Sequence, residues 1–237
     1  MTPPASSALF SALDATWPAA SIAEVPGWCV REGKGGGSRV SAATAKVGSA
    51  DIAEMERAHT AFGQRPLVMV RYGEDALDAR LAAAGYRVKD PVIALACPVA
   101  VLAEAPPPVT AYHVAWPPVQ IQVEIWEQGG IGPARLAVMD RVVGPRIALL
   151  GRSGDRPAGT AFAAIHGNIA MVHALEVRRD MRRKGAARHI MQAAALWAQT
   201  QGATWLAVLV TRENAPAKAL YASLGLGAVE EYHYREL

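Results

Sequence analysis

The residues with the clearest chemical potential form a short basic segment that directly follows an apolar run at residues 170–177. Three cations, a glycine and two alanines follow one another there, as Arg182, Arg183, Lys184, Gly185, Ala186 and Ala187. A glycine turn lets the backbone bend tightly, and the first N–H groups of a helix carry the positive end of its dipole. The cations attract a polyphosphate. The pattern therefore predicts a site for a nucleotide-like diphosphate.

A second set of candidate residues lies in the last predicted helix. Asn214 can cap this helix, and Gly225 can terminate it. The helical spacing of its apolar residues turns Tyr221 inward, on the same face as the small Ala217. A tyrosine at such a position is either a core residue or a reactive group that faces a ligand, and both interpretations stay open.

The elements that must position these residues can be predicted from periodicity. Five buried strands are predicted, at residues 146–150, 158–166, 169–177, 205–210 and 229–235. The helix after the basic turn ends at Gly202, and residues 132–143 predict another helix. The alternation of polar and apolar side chains over residues 120–125 predicts a half-buried strand.

The first part of the chain repeats a portion of this plan. It contains two predicted helices around a predicted strand, at residues 51–61, 75–84 and 67–72. Residues 81–86 resemble residues 221–226, because both sequences indicate a helix end, a glycine and the start of a strand. This similarity indicates an internal repeat in which Leu81 takes the place of Tyr221.

A glycine-rich segment at residues 33–37 is a third feature with possible chemistry. Phosphate-binding loops of this composition lead through Gly-Lys-Ser/Thr into a helix, and that sequence is missing here. We therefore interpret the segment as a flexible hairpin loop.

Length and composition set the limits of the interpretation. The chain has 237 residues, 51% of them hydrophobic and 19% charged, which suits one large domain or two small ones. No apolar run is long enough for a membrane span, and no basic region precedes an apolar stretch at the N-terminus. Cys29 and Cys97 form no CxxC pair, so we expect neither a disulfide framework nor a metal site. We expect a cytoplasmic location for such a chain. A net charge of +3 is too small to indicate nucleic acid as a partner.

Prolines mark the boundary between the two parts. Residues 103–108 and 116–118 are rich in proline, which fixes its own backbone angle and restricts the preceding residue. We therefore expect a first domain at residues 1–102, an extended connector at 103–118 and a second domain at 119–237.

The second domain resembles the GNAT superfamily of acyl-CoA-dependent N-acetyltransferases. One motif is Leu175-x-Val177 followed by Arg182-x-x-Gly185-x-Ala187. The other motif is Glu213-Asn214-x-x-Ala217-x-x-Leu220-Tyr221-x-x-Leu224-Gly225, and it follows in the family's order. The resemblance implies an α/β (α+β) fold with two GNAT-like units, each a mixed, mostly antiparallel sheet flanked by helices. The first unit would be degenerate and catalytically silent.

The resemblance also implies how acetyl-CoA would be bound. Backbone groups of Leu175 and Val177 would pair with the pantetheine arm, which requires that this strand separate from its neighbour, often at a β-bulge. The backbone N–H groups of the basic turn would hold the pyrophosphate. Asn214 and Ala217 would contact the cofactor, and a backbone N–H near Val177 would stabilise the oxyanion.

The proton donors and acceptors follow from the same resemblance. Tyr221 is the expected general acid toward the CoA thiolate. For the base that accepts the amine proton, His173, Glu176 and a chain of water molecules remain alternatives. A lone histidine on an apolar strand is also typical of a structural residue.

The expected activity is transfer of an acetyl group from acetyl-CoA to a primary amine of a small molecule, an amino acid or a peptide. A non-catalytic acyl-CoA-binding regulatory module is the alternative. The expected partner is the small-molecule or peptide amine. We do not expect the protein to bind a nucleic acid or a membrane.

Overall fold

An eight-stranded sheet forms the centre of the molecule and takes strands from both halves of the chain. The computed structural model describes residues 1–105, 107–108 and 111–237. The first half supplies α1 (Ser6–Thr16), β1 (Ser21–Val25), β2 (Trp28–Glu32), α2 (Ser38–Ser41), β3 (Thr44–Ala45), α3 (Ile52–Ala61), β4 (Leu67–Arg71), α4 (Asp75–Ala83), β5 (Arg87–Pro98) and α5 (Val99–Ala103). The second half supplies β6 (Ala111–Val114), α6 (Gln120–Gln128), α7 (Pro133–Asp140), β7 (Arg146–Ser153), β8 (Arg156–His166), β9 (Ile169–Val177), α8 (Ala186–Thr200), β10 (Trp205–Thr211), α9 (Ala215–Ser223) and β11 (Gly227–Glu236).

The strand order in the large sheet is β4-β11-β5-β10-β9-β8-β7-β6. Within the described residues, β9 and β10 are its one parallel pair, and the other neighbours are antiparallel. A separate sheet, β1-β2-β3, belongs to the first half, and a parallel bridge between Ala43 and Val68 joins its end to β4. The predicted α/β class with a mostly antiparallel sheet is confirmed. The halves nevertheless share the large sheet, where a separate sheet in each was expected.

Two equivalent units exchange their last strands. The units are β4–α4–β5 in the first half and β10–α9–β11 in the second. Strand β11 lies between β4 and β5, and β5 lies between β11 and β10. Each half therefore supplies a strand that the other half needs for a continuous sheet.

The ends of α4 and α9 are built alike, as the internal repeat predicts. Gly85 and Gly225 both adopt positive φ, at 91° and 82°. In each helix end, the glycine N–H bonds the carbonyl three residues back, and the next N–H bonds the carbonyl five residues back, all at 3.0 Å. Leu81 and Tyr221 supply the second of these carbonyls, so they occupy equivalent positions.

Helices cover both faces of the sheet. Successive residues of a strand point to opposite faces. On β8, Phe162 and Ala164 pack with α1, α6 and α7, whereas Ala161 and Ala163 pack with α5, α8 and α9. No helix in the described part of the chain is both long enough and apolar enough to span a membrane.

The strand prediction for residues 120–125 is wrong, because these residues form the start of α6. Their alternation fits a strand, but burial recurs with helical spacing at Gln122, Ile125 and Trp126. The buried amide of Gln122 accepts a bond from the N–H of Val119 at 3.1 Å and donates to Thr160 Oγ1 at 3.1 Å. A side chain counted as polar thus belongs to the packed face.

The expected connector at 103–118 contains an element of the sheet. Strand β6 pairs with β7 from Ala111–Gly151 to Val114–Ala148. Pro106, which belongs to the predicted proline-rich stretch, lies outside the described residues.

The glycine-rich segment packs tightly against the second half of the chain. A Cβ at Gly36 would lie 2.6 Å from Val138 Cγ2, and one at Gly35 would lie 3.3 Å from Ala134 Cβ. Since Val138 and Ala134 belong to α7, the glycines allow the loop backbone to approach this helix. The segment connects the antiparallel strands β2 and β3 through α2, and it is also part of the contact between the halves.

Candidate functional site

Strands β9 and β10 separate partway along their length and open a cleft. Their parallel pairing runs from Ile169–Trp205 to Val172–Val208. Beyond this point β9 continues to Val177 and β10 to Thr211. The cleft has a volume of about 730 Å³ and lies between the ends of these strands, the start of α8 and α9.

A β-bulge shapes the β9 side of the cleft. Thr160 pairs with Glu176 and Phe162 with His173, so β9 has one extra residue in this interval. Ala174 in the bulge adopts φ +52°, a left-handed conformation that is rare for alanine. Its carbonyl accepts a hydrogen bond from Trp126 Nε1 at 2.7 Å, which fixes the bulge against α6. The expected bulge is therefore present.

The start of α8 has the properties of an anion site. Arg183 and Gly185 adopt positive φ, at 60° and 84°, so the chain turns sharply before the helix. No side chain caps α8, and its first turn contains no acidic residue. The N–H groups of that turn have no partner within the helix, and the dipole places positive charge there. These features fit the diphosphate of CoA.

The predicted site residues lie around this cleft, with one exception. It is lined by His173, Leu175, Glu176, Val177, Arg182, Arg183, Gly185, Ala186, Ala187, Asn214, Ala217 and Tyr221. Lys184 does not line the cleft, because its Nζ donates to the carbonyl of Asp180 at 3.1 Å. Arg182 points back along β9, where Nε donates to the Val177 carbonyl at 3.1 Å and Nη2 to Glu176 Oε1 at 3.2 Å.

Tyr221 stands in the wall of the cleft formed by α9. The residue is 7% exposed, and burial raises the pKa of its hydroxyl to about 12, although the Arg39 guanidinium acts in the opposite direction. The described part of the chain offers this hydroxyl no hydrogen-bond partner. Asn214 caps α9, and its Oδ1 accepts a bond from the Ala217 N–H at 3.1 Å. The cap positions the first turn of the helix that carries the tyrosine.

His173 is buried behind the cleft surface and uses both ring nitrogens. Thr16 donates its hydroxyl proton to the Ala12 carbonyl at 2.7 Å, so it accepts from His173 Nε2 at 2.9 Å. Nδ1 then accepts from Arg39 Nη1 at 3.3 Å. Burial and the positive charge of Arg39 together hold the pKa of His173 well below its usual value of 6.5. The ring is therefore a neutral acceptor for Arg39.

Glu176 is held between two neighbours. Its carboxylate pairs with Arg182, and a Cβ at Gly129 would lie 2.6 Å from its Cδ atom. Glycine at position 129 thus leaves the space that this side chain fills. Its Oε1 atom is thus already engaged by Arg182 Nη2, at 3.2 Å.

Arg39 is a site residue that sequence reasoning missed. It lies in α2 of the first half, yet lines the cleft of the second half. It also lines a neighbouring pocket of about 250 Å³, which shares Val92, Ala174 and Thr211 with the cleft. No local motif marks this arginine, because only the packing of the first half on β9 brings it there.

The sequence of the second half is similar to known acetyltransferases. The profile of the Acetyltransferase (GNAT) family matches residues 115–226. Among curated proteins, the uncharacterized N-acetyltransferase YobR of Bacillus subtilis is 34% identical over 59 residues, which are 25% of this chain and 24% of YobR. The match thus spans about a quarter of that relative.

Solved structures share the fold over a much larger part of the chain. A GCN5-related N-acetyltransferase from Kribbella flavida superimposes with a TM-score of 0.68 at 18% identity, covering 97% of this chain and 93% of its own. A tandem GNAT protein from the clavulanic acid biosynthesis pathway gives a TM-score of 0.59 at 17% identity, covering 78% of this chain and 67% of its own. Residues 115–226, which contain the motifs at the cleft, are thus similar to the acetyltransferase (GNAT) family, and the fold of the chain is that of solved GNAT structures.

Proposed function

We propose that the protein transfers an acetyl group from acetyl-CoA to the nitrogen of a primary amine. The observation that carries the proposal is the single cleft in which strand separation, an uncapped helix start and the Tyr221 hydroxyl meet. Strand separation offers backbone groups to an extended ligand, and the helix start offers N–H groups to phosphates.

The residues that would hold acetyl-CoA come from three elements. The free edge of β9 at Leu175 and Val177 would bond the pantetheine arm, and the turn from Arg183 to the start of α8 would bond the pyrophosphate. Asn214 and Ala217 would border the arm from α9. Arg182 would act indirectly, by holding the end of β9 in place.

Tyr221 is the proposed proton donor. Acetyl-CoA, when bound, supplies a thioester acetyl group: a C–N bond to the amine forms, the C–S bond breaks, and the sulfur gains a proton. With its pKa raised to about 12, the Tyr221 hydroxyl stays protonated at neutral pH and can deliver a proton at Oη.

The amine loses one proton in the same reaction. His173 is poorly placed to take it, because Arg39 faces the Nδ1 lone pair and the pKa is low. Glu176 is paired with Arg182. We therefore favour water in the neighbouring pocket as the route for this proton, the third of the alternatives from the sequence.

We further propose that residues 1–102 are a degenerate GNAT-like half and that residues 119–237 carry the activity. In the first half, Asp51 caps α3 through a 3.0 Å bond from the Ala53 N–H, so a carboxylate occupies the end where a phosphate would bind. Arg80 of α4 donates to the carbonyls of Gly48 and Ala50, which lie just before the cap of α3. Leu81 has no proton to donate.

The direct test combines CoA binding with turnover. Isothermal titration measures the affinity for CoA, and thiol release from acetyl-CoA is followed with a panel of amines, amino acids and short peptides. Release that depends on an acceptor supports the proposal. CoA binding without release for any acceptor contradicts it in favour of a non-catalytic acyl-CoA-binding module. Absence of CoA binding contradicts both.

A further inference from the structure

The pocket next to the cleft has a composition that indicates what the acceptor carries. It is lined by aromatic and aliphatic side chains, by three charged residues and by a short polar rim, namely Trp17, Gly36, Gly37, Ser38, Arg39, Asp90, Val92, Ile131, Arg135, Ala174, Thr211, Tyr232 and Tyr234. Its volume of about 250 Å³ is below the range of roughly 300–1,000 Å³ typical of drug-sized ligands, so it suits a small molecule.

Two arginines from opposite halves line this pocket. Arg39 comes from α2 and Arg135 from α7. Neither guanidinium pairs with a carboxylate anywhere in the described ranges, although many other arginines of the chain do. Two uncompensated cations at one concave surface attract an anion, and guanidinium groups bind carboxylates with particular geometric fit.

Both arginines are held in position by packing. Arg39 lies with its guanidinium carbon 5.9 Å from the centre of the Trp17 ring, and it donates to His173. Arg135 extends over Gly37, where a Cβ would lie 3.7 Å from its Nη2 atom. The guanidinium of Arg135 therefore lies beside the residue that precedes α2, the helix that carries Arg39.

A single carboxylate completes the charge pattern. Asp90 lines the same pocket and adopts φ +43°, in the irregular interval between the β5–β11 pairs Val92–Tyr232 and Lys89–Tyr234. It forms no ion pair with any residue that the structure describes. The pocket thus combines an excess of positive charge with one negative group, which matches a ligand that bears a carboxylate and an ammonium or amine.

We propose that the acceptor is an amine that also carries a carboxylate, in the class of free amino acids. Arg39 and Arg135 bind its carboxylate, and the amine lies near Asp90 and the opening to the cleft at Ala174 and Thr211. Trp17, Ile131 and Tyr232 receive an apolar side chain. This inference rests on the proposed acetyl transfer and narrows its substrate class.

The experiment compares acceptors that differ only in the carboxylate. Thiol release from acetyl-CoA is measured with L-leucine, L-leucinamide and 3-methylbutylamine, and with L-phenylalanine, its amide and phenethylamine. We expect kcat/KM for each amino acid to exceed that of its amide by about tenfold or more. Equal efficiency with and without the carboxylate overturns the inference while leaving acetyl transfer intact.

Variants locate the effect in the pocket. Arg135→Gln and Arg39→Gln should each lower kcat/KM for the amino acids about tenfold or more. Since Arg135 lines the pocket but not the cleft, Arg135→Gln should do so with little change for the amides or for CoA affinity. Arg65→Gln removes an exposed charge without a partner in the described chain and is the matched control. A loss of CoA affinity in Arg135→Gln, in place of acceptor discrimination, contradicts the assignment.

A binding measurement covers the case of no turnover. The product analogues N-acetyl-L-leucine and N-acetyl-L-leucinamide are titrated into the CoA-bound protein. Selective binding of the carboxylate form that weakens in Arg135→Gln supports the inference even without release. Binding of both forms equally, or of neither, overturns it. Failure of CoA itself to bind contradicts the proposed function as well.

Discussion

The guanidinium of Arg39 lies 3.3 Å from Nδ1 of His173, although the two residues come from opposite halves of the chain. The histidine is fixed from its other side by Thr16, which also belongs to the first half. Two helices of the first half, α1 and α2, thus contribute to the wall between the cleft and the neighbouring pocket. The first half therefore contributes residues to the cleft and the pocket that the second half lines.

His173 should act as a positioning residue, and its replacement should leave the pH profile unchanged. Burial and Arg39 keep its pKa well below 6.5, so the imidazole stays neutral between about pH 6.5 and 9. We expect His173→Gln to raise the acceptor KM several-fold, because Arg39 loses its partner, without shifting either limb of kcat/KM against pH. Loss of an acidic limb in the variant would instead identify His173 as the base.

The same low pKa predicts a contribution to acid sensitivity. The unfolded chain binds a proton at position 173 below about pH 6.5, whereas the folded chain does not, so this group destabilises the fold as the pH falls. Urea unfolding between pH 8 and pH 5 measures the slope, and we expect it to be smaller in His173→Gln. An unchanged slope would contradict the burial argument.

Tyr221→Phe should separate binding from catalysis. The change removes one hydroxyl that no described group bonds, so we expect CoA affinity and stability close to those of the unmodified protein. Loss of a positioned general acid should lower kcat by about 10²–10⁴-fold. Tyr72→Phe, at a tyrosine that is 84% exposed, is the matched control and should leave kcat unchanged. A kcat within twofold of the parent in Tyr221→Phe rules out the assigned role.

Gly185→Ala should weaken CoA binding through the backbone. Gly185 has φ +84° before α8, and a Cβ there would lie 3.3 Å from the His189 ring. Alanine in this conformation costs about 1–2 kcal/mol, which we expect to appear partly as a shift of the turn and a loss of CoA affinity of about five- to tenfold.

Gly202→Ala is the control for that change. Gly202 follows the other end of α8 with φ +81°, and no described atom lies within 4 Å of a Cβ there. We expect a similar loss of stability by thermal unfolding but unchanged CoA affinity by titration. Equal affinity losses in both variants would show that strain in the helix, and not the phosphate turn, is responsible.

Asp78 should matter for the attachment of β11. Its carboxylate accepts two bonds from Arg235, both at 2.8 Å, and one from His233 at 2.7 Å, which joins α4 to the exchanged strand. The bonds from Arg235, followed by those from His233, lower the pKa of Asp78 to about 2. We expect Asp78→Asn to destabilise the protein by about 1–3 kcal/mol in urea unfolding at pH 7.

The pH dependence of this contribution follows from the lowered pKa. The stabilisation is complete above the ordinary value of 3.8 and is lost as the pH falls toward about 2. The difference in unfolding free energy between the parent and Asp78→Asn should therefore shrink between pH 4 and pH 2. Asp155→Asn, at a fully exposed carboxylate, should show neither effect. A difference that stays constant over this range would contradict the account.

The second half could be predicted well from sequence because its motifs combine local geometry with chemistry. The glycine turn at Gly185 and the cap at Asn214 are fixed by neighbours in the sequence, so this turn and the helix of Tyr221 lie where the sequence predicts them. The segment that begins at Gln120 was misassigned because a buried amide interrupts the binary pattern. A pattern of hydrophobic and polar residues cannot show that the buried Gln122 amide donates a hydrogen bond to Thr160.

Contacts between the two halves of the chain could not be predicted from local sequence patterns. Arg39 reaches the cleft through packing of the first half on β9, and nothing near it in sequence distinguishes it from other arginines. The exchange of β5 and β11 was equally hidden. Two units with the same strand–helix–strand pattern allow each last strand to pair within its own half or with the other, and the local sequences fit both arrangements.

The exchange also ties the assembly of the first half to the order of synthesis. On a ribosome, residues 227–236 emerge after all the other strands, yet they fill the gap between β4 and β5. Until then the facing edges of these two strands have no partner, and unpaired edges of this kind invite pairing with other chains. A fragment cut between the halves should thus be insoluble alone, and the two fragments should recover their fold when they are refolded together.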